Sequence, residues 1–205
     1  MIYIMHRAQD KENIPARFGV ELDVRDCDLV VMVSHDMIEW ASDDKSIYDW
    51  LCDDVRENGI RPIYAINVKC DGIEEELKQV YIALNIPEVY ENTFFFDMSY
   101  PSMIQYEKLD MPVAKRVSEE ESWYDHCSPD VWLDRWDWDE DKKIELPTWD
   151  FSKIYAVSPE LHIECDETVR RDWWKQFWYT DVTGICTDYP EDCEAFINGL
   201  ELNSL

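Results

Sequence analysis

Two histidines, one arginine and two carboxylates fall within the first 36 residues, each set at or near the end of a short apolar segment. His6-Arg7 follows Met1 to Met5, Glu21-Leu22-Asp23 follows Gly19-Val20, and His35-Asp36 follows Leu29 to Ser34. In parallel sheets and barrels such strand ends form the ligand-binding face. Glu21 and Asp23 are two residues apart, so on a strand both carboxylates face the same side. Two close carboxylates repel unless a cation lies between them, and hard oxygen ligands favour Mg²⁺ or Ca²⁺. A solvated pair at a strand end is the plainer alternative. Imidazole chemistry near neutral pH suits His6 and His35 to act as base and acid in phosphodiester cleavage. Arg7 can present a fork to phosphate oxygens. Asn67-Val68-Lys69 repeats the alternate-residue geometry on a third strand. There Asn67 offers a neutral oxygen to a metal, and Lys69 an ammonium to a phosphate. Asp97, Lys115, Arg116, Asp134, Glu160 and Asp188 sit at or just past later strand ends, as rim groups to which spacing gives no role. His126 reads as ordinary surface and His162 as a neighbour of the site.

These residues need a scaffold that brings strand ends together. Eight short apolar runs read as strands: Ile2–Met5, Val20–Val24, Ile63–Val68, Thr93–Phe96, Pro112–Lys115, Val131–Leu133, Ile154–Val157 and Thr183–Cys186. Several are almost continuously apolar, as strands covered on both faces are. Leu29–Ser34 pairs with the second run as a hairpin through an Arg25-Asp26-Cys27-Asp28 turn. Helical spacing appears over Ser46–Asn58, Gly72–Leu84, Pro101–Leu109, Asp166–Phe177 and Pro190–Leu200, with Asp71 and Ser99 as N-cap candidates. Alternating strands and helices predict parallel pairing with crossover helices. The expectation is an α/β fold, a compact (β/α)8 TIM barrel forming one domain over residues 1–205. That fold typically takes about 250 residues with roughly 200 as a lower limit. Some crossovers must therefore be shortened or missing, and Trp132–Trp149, with no clear period, is the expected place.

Composition narrows the function. The chain carries 19 basic against 46 acidic residues, a net charge of −27. That surface repels nucleic acid and anionic membrane, so direct nucleic-acid binding is not expected. An acidic decoy that mimics nucleic acid is the contrary reading of the same charge. Seven cysteines without a C-x-x-C pair support neither a zinc ribbon nor a redox motif. Reduced thiols in a cytoplasmic protein are expected. No apolar run approaches the roughly 20 residues of a membrane span.

The ordered series His6-Arg7, Glu21-Leu22-Asp23-Val24, then Leu29-Val30-Val31 with His35-Asp36, resembles the N-terminal signature of glycerophosphodiester phosphodiesterases. Gly184-Ile185-Cys186-Thr187-Asp188-Tyr189-Pro190 resembles that family's last barrel strand, where a Gly-Ile/Val-x-Thr/Ser-Asp-x-Pro pattern is common. Phe94-Phe95-Phe96-Asp97-Met98-Ser99 and Val157-Ser158-Pro159-Glu160-Leu161 are similar to segments of small bacterial and phage members. The resemblance implies a TIM barrel that hydrolyses glycerophosphodiesters to an alcohol and glycerol 3-phosphate with a divalent metal. It implies His6 and His35 as the acid/base pair, Arg7 and Lys69 as phosphate contacts, and Glu21 and Asp23 as ligands to Mg²⁺ or Ca²⁺. Asn67 stands where the family usually has its third metal-binding glutamate. Ala8 replaces the usual glycine, Glu12-Asn13 is a shortened echo of a Glu-Asn-Thr motif, and 205 residues leave no room for the usual glycerol-recognition insertion. Losing a carboxylate weakens metal binding unless Asp97, Glu160 or another group substitutes. A barrel that has lost catalysis and binds a phosphorylated ligand or a protein partner is the alternative function.

Overall fold

The structure, a computed structural model, describes residues 1–38, 44–121, 130–138 and 153–203. The expectations placed on His126 and on most of Trp132–Trp149 lie outside these residues. In chain order the elements are β1 (Ile2–Met5), β2 (Gly19–Cys27), β3 (Val30–Val33), α1 (Ile47–Asn58), β4 (Tyr64–Val68), α2 (Glu74–Leu84), α3 (Pro87–Glu91) and β5 (Thr93–Phe96). They continue with α4 (Tyr100–Lys108), β6 (Ala114–Val117), β7 (Asp130–Leu133), β8 (Lys153–Val157), α5 (Glu167–Tyr179), β9 (Gly184–Thr187) and α6 (Pro190–Asn203). The chain falls into two compact units, Arg7–Val113 and Met1–His6 with Ala114–Leu205.

In the Arg7–Val113 unit, β2, β4 and β5 pair in parallel, and β3 folds back antiparallel on β2. Every residue of β4 and β5 is buried, which is why their sequences are apolar without alternation. The β2–β3 hairpin is tighter than the sequence suggested. Strand β2 runs on through Cys27, and only Asp28 and Leu29 turn, both at positive φ (48° and 68°). Two-residue hairpins need that mirror-image turn to match strand twist. Helix α1 begins where expected, with the Ser46 hydroxyl accepting from the Asp49 N–H at 3.1 Å, and ends at Gly59 with φ 79°. Asp71 is not the N-cap of α2. Its carboxylate instead accepts from the Ser99 backbone N–H at 3.0 Å. Ser99 in turn caps α4. The short α3 was not anticipated, because five residues are too few to show a helical period.

A buried ion pair fixes how α1 meets the strands. Arg61 is 1% exposed and Asp54 6%. Nε of Arg61 lies 2.9 and 2.8 Å from the two Asp54 oxygens, and Nη2 lies 2.6 Å from Oδ1. The guanidinium also donates to the carbonyls of Ile14, Pro15 and Phe18. One side chain thus ties the helix to the segment that leads into β2.

In the other unit, five strands form a wholly parallel sheet in the order β6-β7-β8-β9-β1. Strand β6 begins two residues later than the sequence suggested, at Ala114. Helix α5 is capped by Asp166, whose carboxylate accepts from Val169 N–H at 3.0 Å, and it buries Trp173, Trp174 and Phe177. Gly184 is required by close approach. A Cβ there would stand 3.0 Å from the Ile2 carbonyl oxygen and 3.1 Å from the Tyr155 ring.

Removing one partner of the Asp54–Arg61 pair leaves an uncompensated buried charge. Asp54→Ala is expected to cost about 3–5 kcal/mol in urea unfolding. The double change Asp54→Leu with Arg61→Met should recover most of that loss, and a double variant as unstable as the single would refute this account.

Candidate active site

Six of the seven residues singled out from sequence lie in the Arg7–Val113 unit, and direct contacts join them. Glu21 and Asp23 sit on β2 and Asn67 on β4, with Asp23 and Asn67 in register. Their exposures are 2%, 1% and 9%. Two carboxylates this deeply buried need partners. Glu21 accepts from the Arg7 backbone N–H at 2.8 Å and from Asn67 Nδ2 at 3.0 Å. Asp23 Oδ2 accepts from Gln9 Nε2 at 2.9 Å and lies 3.7 Å from Arg7 Nε. Its other oxygen lies 3.3 Å from Lys69 Nζ, which also reaches Asp97 at 3.4 Å. Arg7 takes the left-handed conformation, φ 45° and ψ 57°. That backbone is unfavourable for a non-glycine residue and persists where surrounding contacts hold it. Here it lets one residue give its N–H to Glu21 and its guanidinium to Asp23. Asp97, at φ 72°, is held in a similar way.

His35 is oriented from both ring nitrogens. Nη2 of Arg7 is 2.6 Å from His35 Nε2, and His35 Nδ1 is 2.8 Å from Asp36 Oδ1. An arginine can only donate, so Nε2 is the acceptor and the ring proton sits on Nδ1. Arg25 braces this corner, donating to the carbonyls of His35 (2.9 Å) and Lys69 (3.3 Å). A cleft of about 690 Å³ opens beside Arg7 and His35, its wall including Lys45, Trp50, Asp53 and Glu57.

His6 belongs to the other unit, at the end of β1. Its Nδ1 stands 3.3 Å from Asp188 Oδ1 and its backbone N–H donates to the Thr187 carbonyl at 3.2 Å. In the same unit, His162 Nε2 is 2.5 Å from Asp134 Oδ1, and its ring packs on Trp136 with centroids 4.1 Å apart. Of the two acids expected to stand in for the missing glutamate, Asp97 faces Lys69. Glu160 accepts from Thr187 Oγ1 and Ser158 Oγ. Gln9 and Arg25 were missed from sequence: Gln9 lies on a 3-10 turn and Arg25 past the expected end of β2, where strand-end logic gives no weight.

The metal reading can be tested against the donor set. Asn67 Oδ1 is buried and, among the described residues, has no hydrogen-bond partner. With the Glu21 and Asp23 carboxylates it makes three hard oxygens on two adjacent strands, the donor type that Mg²⁺ or Ca²⁺ takes, although no group of three or more His, Cys, Asp or Glu side chains among the described residues is placed to hold a metal ion. Burial pushes the thiols of Cys70, Cys165 and Cys193 above their ordinary range, which leaves them protonated and weakly reactive. The six cysteines among the described residues are all free.

Solved structures share this fold. A glycerophosphodiester phosphodiesterase from Agrobacterium tumefaciens superposes with a TM-score of 0.58 at 14% identity, covering 97% of this chain and 99% of that one. A protein from Galdieria sulphuraria assigned as a glycerophosphodiester phosphodiesterase gives 0.64 at 11% identity, with 96% and 97% covered. A third, from Parabacteroides distasonis, gives 0.57 at 12% identity over 89% and 84%. The likeness shows an α/β fold of the TIM-barrel class, as the sequence resemblance implied. No protein-family profile and no curated protein matches the chain.

Lys69 bridges two carboxylates, so its loss should be felt in stability. Lys69→Met is expected to lower unfolding free energy by about 1–3 kcal/mol, because Asp23 is left buried with one charged partner fewer. Asp97→Asn, which keeps the Lys69–Asp23 contact, should cost less. Chemical denaturation of the two variants at neutral pH decides the order.

Proposed function

We propose that the chain is a divergent glycerophosphodiester phosphodiesterase, a phosphoric diester hydrolase acting on a small phosphodiester. The observation that carries this reading is the convergence of Arg7 and Lys69 on Asp23, beside Glu21 and an Asn67 oxygen with no partner among the described residues, with His35 held by Arg7. Its support is that the enzymes sharing the fold carry that activity in their names. A net charge of −27 argues against a nucleic-acid substrate. Free cysteines suit a reducing compartment such as the cytoplasm. No helix among the described residues is long and apolar enough to cross a membrane.

Glu21, Asp23 and Asn67 would hold the Mg²⁺ or Ca²⁺, which when bound supplies positive charge to the phosphate oxygens. Arg7 and Lys69 bind the same oxygens from the protein side. When the Arg7 guanidinium turns to phosphate, the Nε2 lone pair of His35 becomes free to take a proton from the attacking hydroxyl, either water or the substrate's own 2-hydroxyl. His6, which precedes Arg7 in the chain, protonates the leaving alkoxide.

Asn67 favours a second reading, in which the fold binds a phosphorylated ligand without turnover. Turnover of bis-p-nitrophenyl phosphate and of glycerophosphodiesters, with Mg²⁺ or Ca²⁺ and with chelator, separates the two. The hydrolase reading expects chelator-sensitive turnover and losses of roughly 10²–10⁴-fold in His6→Ala and in His35→Ala. Ligand-induced thermal stabilisation without product would support the second reading and defeat the first. Asn67→Glu adds a carboxylate and should tighten Mg²⁺ or Ca²⁺ binding by about tenfold in calorimetry; unchanged affinity would remove this group from the metal set.

A further inference from the structure

The carboxyl edge of the five-stranded sheet holds a second polar network, centred on Glu160. Its Oε1 accepts from the Thr187 hydroxyl and, at 3.3 Å, from the Asp188 backbone N–H. Its Oε2 accepts from the Ser158 hydroxyl, whose oxygen accepts from Trp174 Nε1 at 2.7 Å. Thr187 and Ser158 are fully buried, and Trp174 belongs to the packed face of α5. The Thr187 hydroxyl also accepts from the Tyr189 N–H at 3.1 Å. Glu160 therefore clamps the chain where β9 ends. That stretch carries both groups that hold His6: the Thr187 carbonyl on its backbone N–H, and the Asp188 carboxylate on Nδ1.

We propose that Glu160 is a positioning residue for His6. By fixing Asp188 it keeps a proton on Nδ1 and leaves Nε2 as the nitrogen that exchanges its proton. The chemistry is one of donors and acceptors. An ionised carboxylate only accepts, so the nitrogen it faces must carry the proton. Glu160 accepts from the Asp188 backbone N–H, and Arg170 of α5 lies over the Tyr189 ring at 4.2 Å. Protein donors engage both oxygens of Glu160. This inference rests on the reading of His6 as an acid/base group.

The test uses the full chain with ¹⁵N-resolved histidine ring signals, which report the tautomer without turnover, alongside hydrolysis of bis-p-nitrophenyl phosphate. The native His6 is expected to carry a proton on Nδ1. Asp188→Asn offers an amide donor and should shift the ring toward Nε2–H. In the Ser-His-Asp template the same change lowers kcat by about 10⁴-fold; here a loss of at least ~100-fold in kcat with little change in KM is expected. Glu160→Ala should mix the tautomers and lower kcat by roughly 10–100-fold. Glu160→Gln should restore most of both, because its amide oxygen still accepts from Thr187 and its amide nitrogen can donate to Ser158. A native ring signature and native kcat in Glu160→Ala would overturn the proposal, as would Glu160→Gln no better than alanine. Should Glu160→Ala unfold, Asp188→Asn, which conserves volume, decides through the ring signature. If the native chain shows no turnover at all, the hydrolase reading fails, while the tautomer measurement still tests the link between Glu160, Asp188 and His6.

Discussion

The Arg7–Val113 unit is organised around the burial of two acidic side chains on one strand. Glu21 and Asp23 have almost no contact with solvent. A buried carboxylate without partners costs several kcal/mol, and the attraction of a cation offsets that only with good geometry. The surroundings follow from this constraint. Arg7 adopts a left-handed backbone so that its N–H can reach Glu21, while its side chain lies along Asp23. Gln9 turns inward on a 3-10 turn to donate to Asp23. Lys69 spans Asp23 and Asp97, and Asn67 gives its amide hydrogens to Glu21. Each partner is a donor or a cation, which is also what a phosphate needs. The groups that make the buried acids tolerable are therefore the groups a phosphodiester would meet.

The same logic recurs, with different parts, at the edge of the other sheet. There the central acid is Glu160, and its partners are neutral hydroxyls and a backbone N–H. Neutral donors stabilise a carboxylate without cancelling its charge, and they lock geometry because each bond is directional. The consequence is a rigid corner at the end of β9 from which Asp188 and the Thr187 carbonyl present themselves to His6. His162 with Asp134 makes a second imidazole–carboxylate pair on the same unit. Its ring lies against Trp136 and its partner is buried, so it is fixed on two sides.

The two arrangements treat their histidines differently. His35 is held between a guanidinium and an aspartate, so its acceptor nitrogen is covered by Arg7. His6 is held through Nδ1, with Asp188 as its ring partner. One ring has its acceptor nitrogen capped by a protein donor; the other is held through Nδ1. Stability in the Arg7–Val113 unit also draws on the Asp54–Arg61 pair, which joins α1 to the chain before β2 and whose remaining guanidinium donors are met by backbone carbonyls.

Much of the site could be read from residue order. Alternation on a strand put Glu21 with Asp23 and Asn67 with Lys69 before any coordinates, because a period of two is a local property of extended chain. Strand positions, most helix starts and the hairpin were legible for the same reason: apolar spacing, Ser and Asp caps and Gly stops act over a few residues. What sequence could not supply was the pairing across distance. Register set Asp23 against Asn67, and packing gave Asp97 to Lys69 and Glu160 to Thr187. It sent Asp71 to Ser99 instead of to its own helix, and it drew in Gln9 and Arg25, which no strand-end rule singles out. The chain by itself determined which side chains carry charge and on which face of each strand they stand. Only the packed strands decided which charges meet, because burial leaves a carboxylate no partner but the donor that tertiary structure brings to it.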